Sequence, residues 1–332
     1  MKYLFSRIFN MRFGKFFETI NKVHKMTNKN RVIIFFDMII CAFKYKSGYV
    51  DYMSFGFYDL NGKQRKTFLT RGKNNMYVAM LNKKDKWYIF DEKNEFNKKF
   101  DKYLERDWLY LNDNLNSFKK MVANKDSLIV KPNNNSGGIG VEKVTVSDFK
   151  DSTSLYNHLV EKKQLLVEEV IKQHKELNRL HPTSVNTIRI ITIRQGNDVD
   201  FVTAFLRIGN GKVVDNTCSG GMLTMIDLTT GKTLYPACDA ALNVFEKHPI
   251  TNVEIANFQL PYWTECLEFT KKLAKVVDDV NYVAWDIAIT DKGPVVVEGN
   301  PYPGYYYQFP VHTPNKIGVV PVFEKILSKK IR

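Results

Sequence analysis

Hydrophobic and polar positions are patterned most regularly in the second half of the chain. Residues 185–194, 199–208 and 223–228 are apolar stretches punctuated by single polar side chains, with Gly, Asn and Asp between them. This pattern predicts consecutive strands of a mainly antiparallel sheet. Residues 283–290 and 294–300 flank Asp291, Lys292 and Gly293, and a three-residue loop ending in glycine predicts a hairpin. Such a loop pairs Thr290 with Pro294, and counting back four positions sets Asp286 opposite Glu298. Trp285, Ile287 and Ile289 then share one face, Asp286 lies between Ala284 and Ala288 on the other, and Glu298 and Asn300 share a face of the second strand. Upstream, residues 127–132 and 141–146 predict two strands joined by a turn at 133–140, and 165–171 is a further apolar run. Cys266, Phe269, Leu273 and Val277 recur at steps of three and four, the spacing of one buried helix face. Residues 90–104 open with Asp91, Glu92 and Glu95 and continue through Phe96, Phe100 and Leu104, which predicts a helix with acids in its first turn.

The N-terminal third is different. Residues 1–31 mix Phe and Ile with Lys, Arg and His, and Glu18 is the only acid among them. One or two basic amphipathic helices are expected, either packed on the body or docked on an anionic membrane surface. Residues 32–88 stay rich in aromatic and basic side chains and suggest an accessory region without an assignable fold. The longest apolar run, 32–43, is interrupted by Asp37, whereas a membrane-spanning helix needs about 20 apolar residues. No signal-peptide pattern precedes it, so a cytoplasmic protein is expected, with peripheral attachment to the inner face of the membrane through the basic segment as an extension.

At 332 residues the chain exceeds a single small core, and two or three packed subdomains are expected. A hydrophobic content of 44% excludes wholesale disorder. A net charge of +14 favours an anionic partner: nucleotide, glycan, nucleic acid or lipid. Cys41, Cys218, Cys238 and Cys266 are far apart, and neither a zinc site nor a disulfide framework is indicated.

Three groups carry candidate chemistry. Asp286, Glu298 and Asn300 form an oxygen-only set suited to Mg²⁺, which completes its shell with water and substrate phosphates. The plainer alternative is a solvent-facing polar side of the hairpin, against which an unpartnered charge in so apolar a strand would be costly. Ser136, Gly137, Gly138, Ile139 and Gly140 form a loop that is neither a Walker motif nor a dinucleotide fingerprint. Its glycines would let backbone N–H groups close on phosphate oxygens, with Lys131 adding a charge at the end of the preceding strand. Glu168 and Glu169 sit in an apolar run that could serve as a hinge edge or be surface acids. Arg189 and Arg207 each punctuate an apolar strand, where an arginine needs either an anionic ligand or a structural carboxylate.

In order, Lys93, Lys131, the 136–140 loop, Glu168-Glu169-Val170-Ile171, Arg189, Asp286 and Glu298-x-Asn300 resemble an ATP-grasp enzyme. The resemblance is closest to the sugar-transfer-associated ATP-grasp family of bacterial polysaccharide gene clusters. It is carried by residues 181–189, by Asp215 and Asn216 with Gly220 and Gly221, and by Trp285-Asp286 through Asn300, and it covers roughly residues 90–305. It implies an α+β ATP-grasp fold, two α+β subdomains clasping ATP: an accessory region over 1–88, a small lid subdomain over 89–172, and a C-terminal subdomain with the metal site over 173–332. Lys93 and Lys131 would bind the α- and β-phosphates, the loop would cover the β- and γ-phosphates, and Glu168 to Ile171 would hold adenine, with His174 near the ribose. Arg189 would meet the γ-phosphate; Asp286, Glu298 and Asn300 would carry two Mg²⁺ ions; Arg207 and Asn216 would face the acyl substrate or its phosphate. The implied activity is ATP-dependent carboxylate–amine ligation, joining an amine to a carboxylate on a small molecule or glycan in surface polysaccharide synthesis. A kinase-like phosphotransferase is the alternative within this fold. A basic nucleic-acid or membrane-surface binding protein without catalysis is the alternative outside it, although the ATP-grasp reading anticipates no nucleic acid.

Overall fold

The computed structural model describes residues 13–112, 114–135, 137–211, 215 and 220–329. The described chain falls into two compact units, one reaching Met80 and resuming at Gly304, the other Leu81–Pro303.

The first unit is helical: α1 (Phe13–Thr27), α2 (Arg31–Tyr45), α3 (Tyr49–Ser54), α4 (Gly62–Thr67) and α5 (Arg71–Leu81), with a further helix at Val320–Ser328. Phe16, Ile20 and Val23 give α1 its buried face, as the amphipathic pattern predicts. The Asn30 side chain accepts from the Val32 amide at 2.8 Å and so starts α2. Asp37, the acid that interrupts the apolar run, is held by both Arg65 guanidinium nitrogens at 2.7 Å and by the Tyr52 hydroxyl at 2.7 Å. This partner lies 28 residues away, which is why the periodicity of 32–88 assigned no fold: its interior charge is balanced at long range. No helix among the described residues is long and apolar enough to cross a membrane.

In the second unit the helix expected over 90–104 is broken. Glu92 is extended (φ −99°, ψ 110°), so α6 (Tyr88–Asp91) ends before it and α7 (Lys93–Phe100) begins after it. A four-stranded antiparallel sheet follows, in the order β1-β4-β2-β3: β1 (Trp108–Tyr110), β2 (Ser127–Lys131), β3 (Glu142–Thr145) and β4 (Leu166–Glu169). Phe118 and Val122 of α8 (Leu115–Val122), with Leu155 and Leu159 of α9 (Ser152–Glu161), close its core over Leu128, Val130 and Val167.

A seven-stranded antiparallel sheet follows a short helix, α10 (Lys175–Leu180), in the order β11-β10-β5-β6-β7-β8-β9. Its strands are β5 (Ile188–Gln195), β6 (Asp198–Ile208), β7 (Met222–Ile226), β8 (Ala237–Asp239), β9 (Val244–Phe245), β10 (Tyr282–Thr290) and β11 (Gly293–Asn300). Helix α11 (Trp263–Leu273) buries Cys266 and Leu273 as its spacing predicts, whereas Val277, also buried, lies beyond its end. Cys41, Cys238 and Cys266 are buried free thiols; Cys218 lies outside the described residues.

The β10–β11 hairpin differs from expectation in a way that leaves its key pair intact. Thr290 pairs with Gly293, so the loop has two residues, Asp291 and Lys292, and Gly293 adopts φ +120°. A β-bulge then inserts Val297 between the pairs Ile287↔Val296 and Asp286↔Glu298. The shorter turn shifts the register by one and the bulge shifts it back. Asp286 therefore does face Glu298, through two irregularities that alternation alone does not reveal.

Candidate active site

A cavity of about 780 Å³ opens between the two sheets of the 81–303 unit. On one side it is lined by Lys93, Lys131, Gly137 and Gly138, on the other by Asp286, Glu298 and Asn300, and between them by Glu168 through Lys172. Arg207 also reaches the lining, whereas Ile139, Gly140, Arg189 and His174 do not. Ser136 and Asn216 lie outside the described residues.

The glycine loop is fastened from below. Lys93, the first residue of α7, donates its backbone N–H to the Asn133 carbonyl at 3.2 Å, and its ammonium donates to the Asn135 carbonyl. The Asn94 amide donates to the Asn133 side chain at 3.0 Å. The break at Glu92 thus frees the N-terminus of α7 to hold the loop. Gly137, Gly138 and Gly140 all have positive φ; a β-carbon at Gly140 would lie 2.7 Å from Pro132, while at Gly137 it would meet nothing.

Glu168 is the centre of a buried ion cluster. Its carboxylate is 3% exposed and accepts from Lys131 Nζ at 2.6 Å, from Arg106 Nε and Nη2 at 3.2 and 3.1 Å, and from Asn97 at 2.8 Å. Burial alone would raise its pKa, but Arg106, Lys131 and Asn97 together pull it well below the usual carboxylate range. Arg106 also donates to the Val296 carbonyl at 2.8 Å, tying the small sheet to β11 beside its bulge. Glu169 instead points to Lys125, at 3.0 Å. The side chain of Glu168 is therefore committed to the protein and the backbone of Glu168 and Glu169 to the strands on either side, so the hinge edge meets the cavity with Val170 and Ile171, beyond the end of β4. His174 caps α10, accepting from the Glu176 amide at 3.2 Å, with its ring against Tyr262.

On the opposite wall both punctuating arginines have carboxylate partners. Arg189 donates from Nε and Nη2 to the two Asp286 oxygens at 2.6 Å each, and Arg207 donates to Asp286 at 2.7 Å and to Asp215 at 2.8 Å. Asp215 is anchored by the Thr187 backbone N–H at 2.8 Å. The charge of Asp286 is thus compensated by two guanidinium groups, which answers the burial cost without a metal. Burial would raise its pKa, and the two arginines hold it below the ordinary range. Glu298 has its pKa raised, first by burial and then by Asp286 beside it.

A family profile described as sugar-transfer associated ATP-grasp matches residues 72–326. The chain belongs to the sugar-transfer-associated ATP-grasp family. Its α+β architecture, with a small antiparallel sheet facing a larger one, is the ATP-grasp fold. Comparison with curated proteins gave no match. Among solved structures, the ADP complex of an N5-carboxyaminoimidazole ribonucleotide synthetase is 11% identical, with a TM-score of 0.40, covering 65% of this chain and 46% of that one. The L-amino acid ligase of Bacillus licheniformis is 12% identical, with a TM-score of 0.40, covering 64% of this chain and 40% of that one. The chain therefore spans less than half the length of these two proteins. The ATP-grasp ligase PsnB, complexed with its precursor peptide and AMPPNP, is 14% identical, with a TM-score of 0.45, covering 79% of this chain and 70% of that one.

For this ATP-grasp chain the fit to Mg²⁺ can be judged from the donors. No group of three His, Cys, Asp or Glu side chains converges among the described residues. Asp286, Glu298 and Asn300 do line one cavity, with the Asn300 amide 3.4 Å from Glu298. Two carboxylates and an amide suit an ion that takes the rest of its shell from water and phosphate. Sequence reasoning missed Arg106 and Asn97, and it quoted Asp215 within the family resemblance without giving it a role. Asp215 stands beside the expected Asn216, and Arg106 is an arginine just ahead of an apolar strand, the same signal that singled out Arg189 and Arg207. Asn97 left no sequence signal.

Proposed function

We propose that this ATP-grasp chain is an ATP- and Mg²⁺-dependent carboxylate–amine ligase that works through an acyl phosphate. The observation that supports it is the single cavity lined both by a lysine-anchored glycine loop and by Asp286, Glu298 and Asn300. Lys93, Lys131 and the backbone N–H groups of the loop bind the nucleotide phosphates, and of the stretch from Glu168 to Ile171 the backbone beyond β4, at Val170 and Ile171, meets adenine. Asp286, Glu298 and Asn300 hold Mg²⁺, which neutralises phosphate charge when bound. Arg207, which reaches the cavity lining, stabilises the phosphoryl group in flight, and Arg189 acts through Asp286, which it orients. A carboxylate oxygen of the acceptor attacks the γ-phosphorus, the bond to the β-phosphate oxygen breaks, and ADP leaves. An amine then attacks the acyl carbon, phosphate departs, and the nitrogen loses a proton to give the amide. The lid, assigned to residues 89–172, closes the glycine loop over the site and keeps water from the acyl phosphate.

On this reading the carboxylate is a sugar acid or glycan intermediate of surface polysaccharide synthesis and its partner an amino acid or other amine; the sugar-transfer association in the family description supports the sugar. Hydroxylamine tests the reaction class. With the right carboxylate it should replace the amine and give a hydroxamate and ADP in equal amounts. ADP formed with a matching stable phosphate ester, and no hydroxamate, would make the protein a kinase on the same fold.

A further inference from the structure

The positive charge of this protein is not spread over it. Residues 81–303, which contain the whole cavity, hold 29 Lys and Arg against 30 Asp and Glu. Residues 13–80 and 304–329 hold 15 against 5. The basic excess therefore does not serve the nucleotide site, whose cations are matched by its own acids; it belongs to the helical unit.

The same unit carries an apolar face that is exposed among the described residues. On α2, Ile34, Met38, Cys41 and Tyr45 turn inward. Val32, Ile33, Phe36, Ile40 and Phe43 lie on the other side, within an arc of about 100° at helical spacing, and are 62%, 65%, 58%, 54% and 59% exposed. A 15-residue helix that is apolar on both faces would ordinarily be buried on both. Phe36 continues inward through edge contacts with Phe35 and then Phe16 of α1. Lys44 borders the stripe, and Lys15, Lys22 and Lys25 stand exposed on α1.

We propose that the outer face of α2 is a docking surface for an anionic lipid bilayer, with the helix lying in the interface plane. An apolar stripe inserts among acyl chains while lysines reach the headgroups, and the two contributions reinforce one another only on an anionic membrane. A second copy of the chain would bring two units of the same high positive charge together, which opposes pairing. A nucleic acid would use the lysines and leave the stripe in water. The inference is independent of the ligase reading. It also moves the membrane contact expected of residues 1–31 onto α2.

The test is co-flotation of the full chain with vesicles of phosphatidylcholine alone or with about 30% phosphatidylglycerol. The wild type should float with the anionic vesicles only, and about 0.5 M salt should release most of it. Phe36→Ser with Ile40→Ser should keep the wild-type melting temperature, because both side chains are exposed, and should bind at least about tenfold more weakly. Ile33→Gln, read in the same way, covers the case in which the double variant does not fold. Failure of the wild type to float with anionic vesicles would overturn the proposal, as would undiminished binding by the variants. So would a wild-type dimer in light scattering that the variants convert to monomer, since the stripe would then belong to a second copy.

Discussion

Arg106 offers a sharp perturbation because it has no part in the chemistry yet holds two walls of the site. Its side chain and that of Glu168 are each 3% exposed, and it also donates to the Val296 carbonyl. Arg106→Met keeps the apolar stem and removes the charge, leaving Glu168 with Lys131 and Asn97 alone. Lys131 still neutralises Glu168 at 2.6 Å, so the loss is that of charge-assisted hydrogen bonds, about 1.5–3 kcal/mol, below the cost of a stranded charge. In a unit of this size each kcal/mol moves the melting temperature by roughly 2–4 °C, so a fall of about 3–12 °C is expected in thermal denaturation followed by circular dichroism. Adding Glu168→Gln and Lys131→Met to Arg106→Met should recover at least half of that loss, since the amide oxygen still accepts from Asn97 and no charge of the cluster is left without its partner.

The pH dependence has a definite sign. The native pKa of Glu168 lies below its unfolded value, so the stability it lends is fully present above about pH 4.3 and drains away as pH falls below that. The acid limb of stability in urea titrations should be flatter in Glu168→Gln than in the wild type. If Arg106→Met melts within about 2 °C of the wild type, or if the triple variant is no more stable than the single one, the buried cluster does not organise the site.

Three further outcomes bear on the nucleotide site. Glu298→Gln should melt as the wild type does, since it removes charge at nearly constant volume, and should abolish Mg²⁺-dependent ATP turnover measured as ADP release. Lys131→Ala should weaken a non-hydrolysable ATP analogue by about 1.5–3 kcal/mol in calorimetry, and unchanged affinity would leave Lys131 only its structural pairing with Glu168. Gly140→Ala combines a left-handed φ with a 2.7 Å clash against Pro132 and should weaken nucleotide binding more than Gly137→Ala, which meets only the strain of φ, about 1–2 kcal/mol.

Apolar stretches bounded by Gly, Asn and Asp were enough to locate β5, β6 and β7 and the hairpin of β10 and β11, because these strands are buried along most of their length and the chain must turn where the apolar run ends. The order of Lys131, the glycine loop, Arg189, Asp286 and Glu298 was likewise sufficient for the family, since a fold that wraps one ligand presents its contacts in chain order. Alternation could not reveal that a two-residue turn and a bulge at Val297 cancel, because each changes register by one and the sum leaves the pairing of Asp286 with Glu298 unchanged. Nor could it reveal which charges neutralise which. Asp37 finds Arg65, Glu168 finds Arg106 and Lys131, and Asp286 finds Arg189 and Arg207, across separations of 28 to 97 residues. Pattern reports whether a position faces inward; only the tertiary structure brings distant chain segments together and decides which buried charge has a partner and which face of α2 is left in water.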